Sequence, residues 1–396
     1  MRLYLLLLIF FSLVCASTTK KTYGKHRLVS YVVDWEIPKS INWSLMDHVV
    51  YAFAEPDVHG NLKEITSSSL KSFTKTAHQH HVGVSISVGG WSGSRYLSSL
   101  VKTEAKRKTF VNNIVKLVAE YNLDGVNLDW EYPNDPNGMS CNQRDKKDTA
   151  NYLLFIKHLR KELDAKYPKI HKIITLAVTT RPFNDEKGHS IKKLDQDWSK
   201  TVDTFYVMAY DISGSWMVQA GPNAPLKPAS ARYYETSVTQ AITAWYNAGI
   251  PKTKLTLGVP FYGTVLKTQS KVHAAGLYVK LANNNAIKGD KYDEYAADPC
   301  PGAAKSYTGG YQWRSIHVNG IQSNKNGWKT YWDSRSVTPY AFHANDKKFL
   351  TFDNVKSLQA KVNYVKSQKL GGAMIWSLEM DDSSHTLLRS LQSVRH

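Results

Sequence analysis

Short apolar runs alternate with amphipathic stretches along almost the whole chain. The runs Leu28–Trp35, His48–Phe53, Gly83–Val88, Gly125–Asp129, Ile173–Val178, Thr204–Tyr210, Leu255–Pro260 and Gly372–Ser377 have the length and β-branched content of buried strands. Between them, Glu104–Glu120, Thr149–Lys166, Val238–Ala248 and Val355–Gln368 repeat their apolar positions at helical spacing. Eight strands joined by crossover helices predict an α/β fold, a parallel (β/α)8 TIM barrel, with its chemistry at the carboxyl ends of the strands. One interval breaks the rhythm. Residues 264–338 are rich in Gly, Asn, Lys and Tyr, and a structureless loop of that length is improbable, so a small inserted domain is expected there. The barrel is then built from residues 17–263 and 339–396.

The fourth strand carries the strongest chemical signal. In Gly125-Val126-Asn127-Leu128-Asp129-Trp130-Glu131-Tyr132-Pro133, alternation with period two puts Asn127, Asp129 and Glu131 on one face and Val126, Leu128 and Trp130 on the other. Acidic alternation usually marks a solvated edge strand; the apolar face and the apolar helix before it argue instead for a buried strand ending in a polar site. Asp124 has the opposite parity and suits the strand entrance.

This segment resembles the catalytic signature of family 18 glycoside hydrolases, the chitinases, which reads Asp-x-x-Asp-x-Asp-x-Glu. Asp124, Asp129 and Glu131 match; Asn127 stands where the family has an Asp. Other strand ends resemble the family in order: Ser87-Val88-Gly89-Gly90-Trp91 its Ser-x-Gly-Gly, Met208-Ala209-Tyr210-Asp211 its Met-x-Tyr-Asp, and Gly371 to Trp376 its last strand. The resemblance implies an α+β insertion between strands seven and eight. It also implies a retaining, substrate-assisted hydrolysis of β-1,4-linked N-acetylglucosamine chains, with no cofactor and no metal. Glu131 would be the general acid and base. Asp129 would hold the acetamido N–H, Tyr210 donate to its oxygen, Asp211 position the sugar and Trp376 form the floor. Pyranose rings present flat C–H faces to aromatic rings, so Trp91, Trp35 and Phe53 are candidate stacking surfaces. Tyr31, Met208 and Tyr262 are further candidates for substrate binding, and Gly90 would leave room for the sugar chain. For Tyr31 and Phe53, core packing is an equally good account. The amide of Asn127 can donate a hydrogen bond to Asp129, which should then stay ionised to lower pH than beside a carboxylate. Two rival functions are a chitinase-like lectin that binds without cutting, against which Glu131 argues, and an endo-β-N-acetylglucosaminidase acting on N-glycans.

Residues 1–16 read as a signal peptide: Arg2, an apolar run from Leu3 to Val14 too short for a membrane span, then Ala16. A secreted protein, extracellular or bound to cell walls, is expected. Export would leave Cys141 and Cys300 as an even pair, either a disulfide, the favoured reading, or two thiols. The sequon Asn42-Trp43-Ser44 is available for glycosylation. A net charge of +18 raises nucleic acid as a partner, but the lysines are dispersed, and no basic block interleaved with aromatics occurs. The expected partner is chitin or its oligosaccharides, bound by a monomer, with no nucleic acid and no membrane.

Overall fold

The computed structural model describes residues 27–63, 67–228, 236–271, 276–282 and 286–396. The proposed signal peptide lies outside them. Eight parallel strands close into a barrel: β1 (Leu28–Val33), β2 (His48–Ala54), β3 (Gly83–Gly89), β4 (Gly125–Asp129), β5 (Ile173–Val178), β6 (Thr204–Val207), β7 (Leu255–Pro260) and β13 (Gly372–Trp376). They stand in sequence order round the ring, with β13 between β7 and β1. The helices Glu104–Glu120, Asp148–Lys166, Val238–Asn247 and Val355–Ser367 fall where the periodicity puts them. Two have defined starts: Thr103 accepts from the Lys106 N–H, and Asn354 and Ser357 cap each other reciprocally.

Two strand ends are shorter than the apolar runs. The chain leaves β1 at Val33 and turns through Asp34–Glu36, which lifts Trp35 out of the sheet; β6 stops at Val207, leaving Tyr210 and Asp211 in the loop beyond it. In each case the apolar run outlasts the hydrogen-bonded ladder.

The main apolar core lies between the barrel and its helices and takes in Val126 and Leu128 from the outer face of β4 and Trp130 just past its end. A smaller cluster inside the barrel holds Val29, Tyr31, Val50, Ala52, Tyr206 and Met374. β4 pairs with β3 on one side and β5 on the other, so it is no edge strand. Its inner residues therefore have only the barrel lumen to face.

The insertion is a five-stranded antiparallel sheet of β8 (Tyr262–Lys267), β9 (Gly310–Gln312), β10 (Trp328–Asp333), β11 (Thr338–His343) and β12 (Lys348–Thr351), ordered β10-β11-β12-β8-β9. Its extent corrects the expected span of 264–338. β12 pairs with both β11 and β8, so the sheet is continuous only when residues up to Thr351 are included. Cys141 and Cys300 form a disulfide across 159 residues, joining the segment after β4 to the insertion.

Candidate active site

Asn127 and Asp129 lie on the lumen face of β4 and Glu131 just past its end. The Tyr31 hydroxyl from β1 donates to Asn127 Oδ1 at 2.7 Å and to Asp129 Oδ2 at 3.4 Å. The Ser87 hydroxyl from β3 donates to the same Asn127 oxygen at 2.8 Å, and Asn127 Nδ2 donates to Thr175 Oγ1 of β5 at 3.0 Å. Two hydroxyl donors on Oδ1 fix which way the amide points. Of its two N–H donors one goes to Thr175 and neither reaches Asp129, which corrects the expected bond. Neighbouring strands satisfy Asn127 and leave Asp129 Oδ1 buried without a hydrogen-bond partner.

Burial sets the acidity of Asp129. Its carboxyl is 3% exposed, and loss of hydration pushes it up to about 7, against the smaller lowering effect of Tyr31. Replacing a like charge by an amide does not restore ordinary acidity, because burial outweighs it. Glu131 is raised well above the carboxylate range, first by burial and then by the negative charge of Asp129; its bond to Tyr132 lowers it by less. Its backbone is held on both sides, with the N–H donating to Ser94 Oγ at 2.8 Å and the carbonyl accepting from Asn142 Nδ2 at 2.8 Å. A protonated acid next to a carboxylate that ionises near neutrality is an arrangement suited to proton delivery.

Beyond β6, Asp211 adopts a left-handed backbone at φ 54° and accepts from the Tyr262 hydroxyl at 2.6 Å, while its N–H donates to Asn223 Oδ1 at 3.0 Å. Tyr262 thus bonds Asp211. Burial and the carboxylates of Asp129, Asp211 and Glu131 raise Tyr210 well above the usual phenol range, which keeps it a hydrogen-bond donor. A side chain at Gly258 on β7 would meet Tyr210 Cε1 at 3.0 Å and the Val207 carbonyl at 2.7 Å, so glycine there gives the ring its place. Met208 packs with Tyr210 against the inner cluster.

Trp35, Phe53 and Trp376 form a continuous row. Trp35 stacks on Phe53 at 6.3 Å and Phe53 on Trp376 at 5.7 Å, with interplanar angles of 25° and 29°. Trp35 is 66% exposed and presents its ring to water beside Phe53. Trp91 is 40% exposed, its indole N–H donating to Asp298 Oδ1 at 2.9 Å. Two candidates are corrected. Tyr31 is buried beneath this row, edge-on to Trp376, and serves Asn127 and Asp129 rather than a sugar. Gly90 does not widen the site: at φ +77° its missing side chain would strike the Phe53 ring at 2.7 Å, so it seats that ring. Gly89 does the same for the Asp129 carbonyl, which a Cβ would meet at 2.2 Å.

Thr175, Ser94, Asn142, Asn223 and Gly258 also shape the site, and Trp216 is 59% exposed in the segment after β6. The first five show their purpose only through partners distant in sequence. Among the described residues no group of three or more His, Cys, Asp or Glu side chains is arranged to hold a metal ion.

A (β/α)8 barrel with an α+β insertion, buried coupled carboxyls at the end of β4 and an aromatic row across its mouth defines a class of carbohydrate-active barrel. The model of glycosyl hydrolases family 18 matches residues 27–381, and the chain belongs to that family. A chitinase-like effector of Moniliophthora roreri is 33% identical over 371 residues, 90% of this chain and 88% of that protein. The crystal structure of a chitinase from Rhizomucor miehei, 52% identical, superposes with a TM-score of 0.90 over 93% of this chain and all of that one. A Group IV chitinase of Ostrinia furnacalis in complex with allosamidin, 27% identical, covers 93% of this chain and 98% of its own at a TM-score of 0.76.

Proposed function

We propose that this chain is a secreted chitinase, acting as a monomer on β-1,4-linked N-acetylglucosamine polymers by substrate-assisted, retaining hydrolysis. The observation that carries the reading is Glu131, held protonated by burial beside Asp129 at the end of β4. In this reading the acetamido oxygen of the sugar over Trp376 attacks its own anomeric carbon while Glu131 protonates the departing glycosidic oxygen. Asp129, ionised, holds the acetamido N–H and faces the positive oxazolinium. Tyr210 donates to the acetamido oxygen, and Asp211, bonded by Tyr262, positions the same sugar. Water then opens the oxazolinium with Glu131 as base, so the anomeric configuration is kept. The deciding experiment is anomer-resolved product analysis on a defined N-acetylglucosamine oligomer: β products support the reading, α products overturn the mechanism, and binding without products favours a lectin. The lectin stands second because relatives described as chitinase-like effectors are 33% identical to this chain.

Two results should follow. Fully deacetylated oligomers should remain uncut while acetylated ones of equal length are hydrolysed, because the internal nucleophile is missing; mass spectrometry of the digests decides it. Asn127→Asp should shift the alkaline limb of the turnover profile upward. Its carboxylate would take up the Tyr31 and Ser87 hydroxyls and add a negative charge beside Asp129, so the coupled carboxyls would hold their proton to higher pH. Side-by-side pH–kcat curves test this, and superimposable curves would show that position 127 is not coupled to the acid.

A further inference from the structure

Trp35 ends the aromatic row on the side away from Trp376, and the turn that carries it is weakly rooted. Asp34–Glu36 is a single helical turn of three residues with no side-chain cap and no buried residue. Stacking on Phe53 holds the indole on one side. A lone turn that buries nothing frays unless a contact outside it fixes its backbone. Glu36, the residue after Trp35, makes that contact. Its two carboxylate oxygens accept from Arg314 Nη1 and Nη2, each at 2.8 Å. Arg314 is 278 residues away, in the short helix Trp313–Val318 of the insertion.

The insertion orients this arginine with its own groups. Arg314 Nε donates to Gln312 Oε1 at 2.5 Å, and the guanidinium lies 3.5 Å from the centre of the Tyr292 ring. Both supports depend on Asp290, whose carboxylate accepts from the backbone N–H groups of Tyr292 and Gln312, each at 2.9 Å. Trp313, next to Arg314, is buried. Its indole donates to Asp382 Oδ2 beyond β13 at 2.7 Å, and its backbone N–H to the Phe261 carbonyl at 2.9 Å. The helix is thus fixed to the barrel and the guanidinium to the insertion. An ordinary surface ion pair loses much of its gain in ordering two long side chains. A planar fork already stacked and bonded loses far less, so its two-pronged bond to Glu36 is a stiff clasp.

We propose that Arg314 and Glu36 are positioning residues for Trp35: through them the insertion sets how tightly the cleft grips a sugar chain at the far end of the aromatic row. The inference rests on the chitin reading above and adds chain-length preference to it. An indole held in place costs little ordering when a sugar settles on it, whereas one on a frayed turn costs more. Oligomers long enough to reach Trp35 gain from the clasp; shorter ones do not.

The test is a mutant cycle read by oligomer length. Glu36→Ala and Arg314→Gln cut the clasp from either side, and Trp35→Ala removes the ring it serves. Each is made in Glu131→Gln protein, and affinities for N-acetylglucosamine oligomers up to the hexamer are measured by calorimetry. Trp35→Ala shows which lengths reach the ring. Either clasp variant should weaken those lengths about fivefold, ~1 kcal/mol, and leave shorter oligomers unchanged. In protein already carrying Trp35→Ala it should cost nothing further. With Glu131 restored, KM for the hexamer should rise while kcat stays level. If one clasp variant does not fold, the other decides, since both cut the same bond. Loss at every length, loss that persists without Trp35, or unaltered hexamer affinity would each overturn the positioning role. If Trp35→Ala weakened no oligomer, the clasp would serve no sugar surface, and the inference would fall with the chitin reading intact. Failure of the Glu131→Gln parent to bind any oligomer would overturn that reading too.

Discussion

Glu131→Gln is expected to lower kcat on N-acetylglucosamine oligomers by roughly a hundredfold to ten-thousandfold, the usual contribution of a positioned acid, while leaving oligosaccharide affinity within a few-fold. The amide preserves the shape of a side chain whose backbone is already fixed by Ser94 and Asn142, so the cleft should not rearrange. What is lost is the proton that burial and Asp129 together retain on the carboxyl. Single-turnover kinetics with calorimetric binding separates the two effects. Near-wild-type turnover would place the acid elsewhere; lost binding with unchanged turnover per bound complex would make Glu131 a binding residue.

Asp129→Asn is expected to cost activity and gain stability, with a defined pH dependence. The folded protein holds the Asp129 proton up to about 7, against an ordinary value of 3.8. A carboxyl with a raised folded pKa binds more protons in the native state than in the unfolded one, so its contribution to stability falls as pH rises between those values. The penalty is absent below about pH 4, grows through the window and is complete above about pH 7. There it amounts to about 4 kcal/mol if the whole shift is expressed. The asparagine variant, having no charge to desolvate, should therefore have a higher Tm at pH 8 and little advantage at pH 4. Thermal unfolding of both proteins across that range checks it, and a constant difference would show that the gain is not electrostatic. Activity should fall for two reasons: the amide cannot face the oxazolinium with a negative charge, and Glu131 loses the neighbour that helps it keep its proton. A stability gain at the cost of function is what an electrostatically preorganised site should show.

The order of the barrel, the helices on its outside and the polar face of β4 were all written in local pattern. A period of two over Asn127, Leu128, Asp129 and Trp130 is enough to send an amide and a carboxyl inward and two apolar side chains outward, whatever the rest of the chain does. The acid, the stacking tryptophans and the cysteine pair could also be singled out by residue type and place. Partnership could not. The Asn127 amide points at Thr175 because Tyr31 and Ser87 occupy its oxygen, and those groups lie 48, 96 and 40 residues away along the chain. Only closure of the barrel brings them together, and it also buries Asp129, which costs that carboxyl its ordinary acidity. The insertion's edge at Thr351 is likewise set by pairing between distant segments. Side-chain alternation is a property of a few consecutive residues and survives in the sequence. Hydration, hydrogen-bond choice and proton affinity depend on what surrounds a group in space, and these the tertiary structure decides.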